Sequence, residues 1–294
     1  MLQASVVTPH SPKLIGPDVP DYAAGILAGA QALGVAVRAL RPELLVVQSS
    51  HWATPFLWFV GAEDHHCGIC RDPDASRALE LAYDRPGDPL FARALIDLGR
   101  EEGLPIASGT ERDWDYGSAV PLQTLDPDGS LPVMPLSTCL NSTLDEGLRI
   151  GGLIRRTAEA TRRRVVFVAS TAFAARMVRG PQLWPPQAAL AADRHFLALV
   201  MGGEITAAKA ALPAYAEASN VEMGARPLAT FLGCLGDGLE YRGERFGEYG
   251  PIGGSGHVSI AVIANHNRHS RAGGYPGLPE PSRGCSSDKP SVCA

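Results

Sequence analysis

Leu44-Leu45-Val46-Val47-Gln48-Ser49-Ser50-His51-Trp52 decides how the rest of the chain is read. A short apolar run with paired valines has the pattern of a strand buried on both faces, and a histidine stands just past its predicted end. In an open α/β sheet, ligands bind outside the carboxyl ends of the strands, so His51 occupies the place of a site residue. The N-terminal stretch Ala4-Ser5-Val6-Val7-Thr8-Pro9-His10-Ser11-Pro12 repeats the arrangement, with its histidine held between two prolines. Two strand-end histidines meeting at one edge of a sheet are the kernel of a metal site.

Working outward, residues 22–41 are Ala- and Leu-rich with aliphatics at helical spacing, stopped by Pro42. Residues 56–61 are expected to form the neighbour of the His51 strand, and 63–74 a polar, turn-rich segment. A helix is predicted over 90–102, a short strand at 106–107, and a loop over 113–122 that runs into a helical turn. Residues 132–137 form a further strand. Thr143 and Glu146 have capping-box spacing at the head of a helix reaching about Ala160. The clearest central strand after the first is 164–170. Helices follow over 187–201, 205–212 and 221–235, and 257–264 is a closing strand. This alternation predicts one α/β domain over residues 1–266, with a mixed, largely parallel sheet, helices on both faces and a site at the strand C-terminal ends. Residues 267–294 shift to Ser, Gly, Pro and Arg, which predicts a disordered tail with Cys285 and Cys293 incidental.

The 294 residues are 45% hydrophobic, enough for a sizeable core, and the net charge of −5 argues against nucleic acid or an anionic membrane as main partner. No apolar run approaches the roughly 20 residues that span a bilayer. The first residues lack the pattern of a signal peptide. Six scattered cysteines do not form a disulfide framework, so a cytoplasmic location with reduced thiols is expected.

Imidazole suits Fe, Zn, Cu or Ni, and two histidines with one carboxylate form the facial triad of non-haem Fe(II) oxygenases. Glu222, in Ala218-Ser219-Asn220-Val221-Glu222-Met223-Gly224, lies at a predicted helix start in surroundings poor in charge. From spacing alone it is either the third ligand or a carboxylate favoured by the helix dipole. His65-His66-Cys67-Gly68-Ile69-Cys70 is a rival zinc motif, but no second close pair completes it, and a surface loop near the site mouth is expected instead. Residues 250–256 are glycine-rich without a phosphate-loop lysine and are expected to be a mobile turn. Ser49, Ser50 and Ser170 lack the Gly-x-Ser-x-Gly context of a hydrolase nucleophile. Of the four tryptophans, Trp52 and Trp114 adjoin the motifs.

Pro9-His10-Ser11-Pro12, Ser49-Ser50-His51-Trp52, Asp115-Tyr116-Gly117-Ser118 with Val120-Pro121, and Val168-Ala169-Ser170 follow one another in an order and spacing that resembles the class III extradiol ring-cleavage dioxygenases, of the protocatechuate 4,5-dioxygenase β-subunit type. The resemblance covers most of residues 1–266, and segment 62–98 is similar to the DOPA-dioxygenase branch. It implies a non-haem Fe(II) held by His10, His51 and Glu222, and a small aromatic substrate, a catechol or 2-aminophenol, opened by O₂ beside its two heteroatoms. It also implies a homo-oligomer, or a hetero-oligomer with a related chain. Two departures stand out. Many members have Asp-His-Gly-Thr where this chain has Tyr116, whose phenol still offers a hydrogen bond. The family also continues Ser-Gly-Gly-Leu-Ser-His, its last residue an acid/base, where this chain has Ser170-Thr171-Ala172-Phe173-Ala174-Ala175. Tyr116, His195 and His257 are then the candidates to replace that histidine. A non-catalytic subunit of the same fold, or a zinc enzyme on it, are the alternatives.

Overall fold

The computed structural model describes residues 1–16, 18–72, 79–109, 112–176 and 184–264. The expected tail at 267–294, with Cys285 and Cys293, lies outside these. In chain order the elements are β1 (Leu2–Thr8), α1 (Asp21–Ala39), β2 (Leu44–Thr54), β3 (Trp58–Val60), β4 (His65–Asp72), β5 (Leu79–Pro86), α2 (Pro89–Glu101), β6 (Ile106–Ser108), α3 (Tyr116–Leu125), β7 (Val133–Cys139), α4 (Leu144–Ala160), β8 (Val165–Ser170), α5 (Gln187–Met201), α6 (Ile205–Ser219), α7 (Arg226–Gly233), β9 (Tyr241–Ile252) and β10 (Ser255–Ala264).

Eight strands make one sheet in the order β6-β3-β7-β2-β8-β1-β10-β9. Its centre, β7-β2-β8-β1, is parallel, while β10 and β9 add antiparallel. The central strands are near-continuous runs of Val, Leu, Phe and Ala because both faces are covered. Successive residues point to opposite faces. Val7, Leu44, Val46, Val165 and Phe167 therefore join the core beneath α2, α4, α5, α6 and α7. Val6, Leu45, Val47, Val166 and Val168 pack under α1 and α3. The expected α/β architecture, with a mixed, mostly parallel sheet flanked by helices, is thus the observed one.

Several local expectations change. Trp58–Val60 is not beside β2 but pairs antiparallel with β7, one strand further out. The segment expected to be turn-rich over 63–74 instead carries β4, which pairs antiparallel with β5 in a hairpin of their own. Buried Arg85 ties that hairpin to buried Asp126 at the end of α3, at 3.1 Å. At α4, Thr143 accepts the Glu146 N–H at 3.1 Å, but the Glu146 carboxylate turns away to the Trp58 indole, so the capping box is only half made. By length and composition α1 is apolar enough to cross a bilayer, contrary to the expectation. It is an Ala- and Gly-rich core helix whose Ala23, Ile26, Ala30, Leu33 and Val37 are buried. Gly29 on α1 packs against β9 so closely that a Cβ on it would strike the Phe246 carbonyl, and one on Gly247 would strike the Gly29 backbone.

Candidate metal centre

Strand register brings the two histidines together. Thr8 on β1 and Ser49 on β2 both lie opposite Ser170 of β8, the strand between them, and each histidine stands two residues further on. His51 is not past the end of its strand, however. Pairing with β7 jumps from Gln48–Leu136 to Ala53–Thr138, so residues 49–52 bulge out of the ladder and β2 resumes after them. Bulges re-aim side chains, and this one carries His51 to His10. The two Nε2 atoms are 3.1 Å apart.

A group of side chains fixes the bulge. The Ser49 hydroxyl accepts the N–H groups of His51 at 3.0 Å and Trp52 at 3.2 Å, and donates to Asp115 Oδ1. Asp115 also caps α3 by accepting the Ser118 N–H at 2.9 Å. Burial pushes the Asp115 carboxyl up, but the Arg112 guanidinium and the Ser49 hydroxyl outweigh it and leave it below the usual range. Arg112 bonds Asp115 at 2.9 Å and lies 4.1 Å over the Trp52 ring. Gly117 has to be glycine: a Cβ there would collide with Ser49 Oγ and reach Asp115 Oδ1 at 2.9 Å and His51 Cδ2 at 3.3 Å. The stretch Asp115-Tyr116-Gly117-Ser118 is thus one device that seats α3 against the His51 bulge.

Glu222 arrives differently. The helix expected over 221–235 begins only at Arg226; before it is a 3-10 turn, Glu222–Ala225, in which Met223 (φ 51°), Gly224 (φ 59°) and Ala225 (φ 64°) are left-handed. Glu222 is therefore not a helix N-terminal carboxylate but sits on a reversed turn that lifts it to the sheet edge. Its Oε1 lies 3.4 Å from His10 Nε2 and 3.6 Å from His51 Nε2. Its Oε2 accepts the Ala172 N–H at 2.6 Å and the Thr171 hydroxyl at 3.0 Å. Burial pushes this carboxyl up, yet the facing His10 and His51 imidazoles outweigh burial and hold it well below the usual range.

The donor set fits a divalent metal. Ligands about 2.0–2.1 Å from one ion and roughly 90–110° apart are separated by about 2.8–3.4 Å, close to the three spacings here. Two imidazoles and one ionised oxygen, with His10 buried and His51 side chain 28% exposed, leave one side open. Among the described residues no other group of three His, Cys, Asp or Glu converges this way. The rival motif fails on pleat geometry: on β4, Cys67 is exposed and Cys70 buried, on opposite faces of the strand.

Of the other candidates, Tyr116 stands over His51, with ring centroids 4.1 Å apart, and 5.8 Å from His10. His257, on β10, is buried with its ring 6.4 Å from His10. Burial and the neighbouring His10 push its pKa down to about 3, so it is neutral. His195 is not brought to the site: it is exposed on α5, two residues past the buried Asp193. Ala175 is partly exposed and bridges Ser255 of β10. A cavity of about 460 Å³ lies between the β4–β5 hairpin and the loop before α3, with Tyr83, Arg112 and Trp114 in its wall. None of the three ligands lines it, but Arg112 links its wall to Asp115. Sequence reasoning missed the structural parts of Ser49, Thr171, Ala172 and Asp193; for Asp193 the signal was a carboxylate on the apolar stripe Leu190, Phe196, Val200 of α5.

Residues 5–262 match the family model described as the catalytic LigB subunit of aromatic ring-opening dioxygenase. A 4,5-DOPA dioxygenase extradiol from Mirabilis jalapa is 29% identical over 101 residues, 33% of this chain and 36% of that protein. A 2-aminophenol 1,6-dioxygenase beta subunit from Pseudomonas sp is 27% identical over 182 residues, 56% of this chain and 59% of that protein. The chain thus spans about a third and about three fifths of these two curated relatives. A crystal structure of an uncharacterized Escherichia coli K12 protein shares the fold, with TM-score 0.63 and 17% identity over 88% of this chain and 99% of that one.

Proposed function

From the premise that the chain belongs to the LigB family of aromatic ring-opening dioxygenases, we propose that it is a non-haem Fe(II)-dependent extradiol dioxygenase. Its substrate is a catechol or 2-aminophenol ring. The observation that carries this reading is the convergence of His10 Nε2, His51 Nε2 and Glu222 Oε1 within 3.6 Å of one another at the strand ends. Iron(II) bound there would supply the one-electron chemistry that lets dioxygen react with a closed-shell aromatic ring.

The chain's own residues do the rest. His10 and Glu222, both largely buried, keep bulk water from one side, and the Ser49–Asp115 pair holds His51 in the orientation it needs. Tyr116, half-buried against His51, donates its phenolic proton in a hydrogen bond to a ring heteroatom of the substrate and orients it. His257, neutral and behind His10, accepts a proton only weakly, so Tyr116 is the better placed of the two to handle a substrate proton.

Anaerobic titration of Fe(II) into metal-free protein tests the reading. About one iron per chain is expected, with binding lost in His51→Ala and Glu222→Ala, followed by O₂ uptake with catechols or 2-aminophenols. No iron uptake by the wild type would sink it. A second reading, a silent subunit paired with a related active chain, is favoured by Ala175, whose methyl offers no proton. If that lack limits turnover, Ala175→His raises ring cleavage by about 10²–10⁴-fold, the usual worth of general acid–base help; no change leaves Tyr116 as the sufficient group.

A further inference from the structure

Behind Glu222 runs a strap, residues 171–175, between the end of β8 and the Glu222 turn. Its backbone is laced on both sides. Phe173 N–H donates to Gly256 O at 3.0 Å, Gly256 N–H to Ala174 O at 2.7 Å, Ala175 N–H to Asn220 O at 3.2 Å and Glu222 N–H to Phe173 O at 3.3 Å. The Ala174 N–H goes to a side chain on another element, donating at 3.0 Å to Asp193 Oδ2. Asp193 is fully buried on α5, and among the described residues it forms no salt bridge. Its other partners are phenols, Tyr215 of α6 donating to Oδ1 at 2.8 Å and Tyr249 of β9 donating to Oδ2. Helix α6 and strand β9 thus converge on one buried carboxylate of α5 whose third contact is the strap. Gly256 is fitted to this arrangement, since a Cβ there would strike the Tyr249 hydroxyl and approach Asp193 Oδ2 at 3.1 Å. That explains the glycine at the second position of β10.

A buried carboxylate held by neutral donors costs more to keep than an apolar residue would, so its presence calls for a task. The task is visible two residues away. Ala172 N–H and Thr171 Oγ occupy Glu222 Oε2, which leaves Oε1 as the one oxygen facing the imidazoles. Resting on the metal reading above, we propose that Asp193 is a positioning residue: by pinning Ala174 it sets the strap that makes Glu222 a one-oxygen ligand. Loss of an outer partner of a ligand typically costs about 10–100-fold in metal affinity.

The test uses the full chain, metal-free and anaerobic, titrated with Co(II), whose visible absorption reports the ligand arrangement. Asp193→Ala is expected to weaken Co(II) binding about 10–100-fold and to change the spectrum. Asp193→Asn keeps a carbonyl acceptor for Ala174 and is expected to return affinity to within a few-fold of wild type. Leu95→Ala, in the core of α2, serves as a stability control; it is expected to lower Tm while leaving affinity and spectrum unchanged. If Asp193→Ala does not fold, Tyr249→Phe, which frees one side of Oδ2, is read instead and should weaken binding in the same direction by about 3–10-fold, the worth of one hydrogen bond. Unchanged affinity and spectrum in folded Asp193→Ala, or in Tyr249→Phe where that variant is read instead, with wild type binding normally, overturns the positioning role and leaves the metal reading intact. Equal affinity loss in Leu95→Ala also overturns it. A wild-type chain that takes up no Co(II) or Fe(II) removes the metal reading itself, and this one with it.

Discussion

The imidazole half and the carboxylate half of the centre are built by different physics. His10 follows β1 and His51 lies on a bulge of β2, the strands that flank β8, so the sheet's hydrogen-bond register and one bulge bring them side by side. Glu222 has no strand beneath it. It stands on a turn of three consecutive left-handed residues and is held from outside by Thr171, Ala172 and, through the strap, Asp193. Ligands set by sheet register are local in the sequence pattern and hard to displace. A ligand set by tethers depends on residues far away along the chain, and its geometry can be changed without unfolding the sheet.

The largest effect that sharpens this contrast is loss of a ligand from either half. His51→Ala and Glu222→Ala should each weaken anaerobic Fe(II) binding by more than about 100-fold, beyond the usual worth of an outer partner. If one of them binds as well as wild type, the two halves do not share one ion. Next comes a change that should miss both halves. Arg85→Ala strands buried Asp126 and should cost about 3–5 kcal/mol in denaturant unfolding, with iron affinity preserved in the folded fraction. An affinity loss of equal size would join the β4–β5 hairpin to the centre.

On the imidazole side, Asp115→Ala removes the α3 cap and the acceptor for Ser49. We expect about 1 kcal/mol of lost stability from the cap and about tenfold weaker iron binding from the loosened bulge. Stability loss without affinity loss would mean that register alone holds His51. The smallest effect is on the carboxylate side. Ala225→Gly relieves a left-handed alanine and should raise stability by up to about 1 kcal/mol, a rise of roughly 2–4 °C in Tm. A decrease instead would show that the turn is held by the buried methyl rather than strained by it.

These halves also divide what could be read in advance. The strands ending near His10, His51 and Ser170 announce themselves because a sheet covered on both faces demands continuous apolar runs. The helices over 187–201 and 144–160 were legible from their spacing and from Thr143. β9 was missed because Tyr241-Arg242-Gly243-Glu244-Arg245 is the charged pattern of an edge strand, which buries too little to imprint an apolar alternation. The β4–β5 hairpin escaped because its strands pair with each other and not with the main sheet. His195 was drawn in by its chemistry alone. Its helix turns it to solvent, while Asp193, unremarked two positions earlier, faces the strap.

The sequence by itself determined the α/β class, the central strands and the residue types of a two-histidine, one-carboxylate centre, because apolar periodicity and strand-end chemistry are local properties. Tertiary structure alone decided that the helix over 221–235 yields to a left-handed turn at Glu222. It also decided that residues 49–52 leave the ladder to bring His51 to His10, and that a buried aspartate on α5 anchors the strap behind Glu222. Each of these depends on which backbone N–H groups find partners 19 or more residues away in the sequence, and no local pattern encodes that pairing.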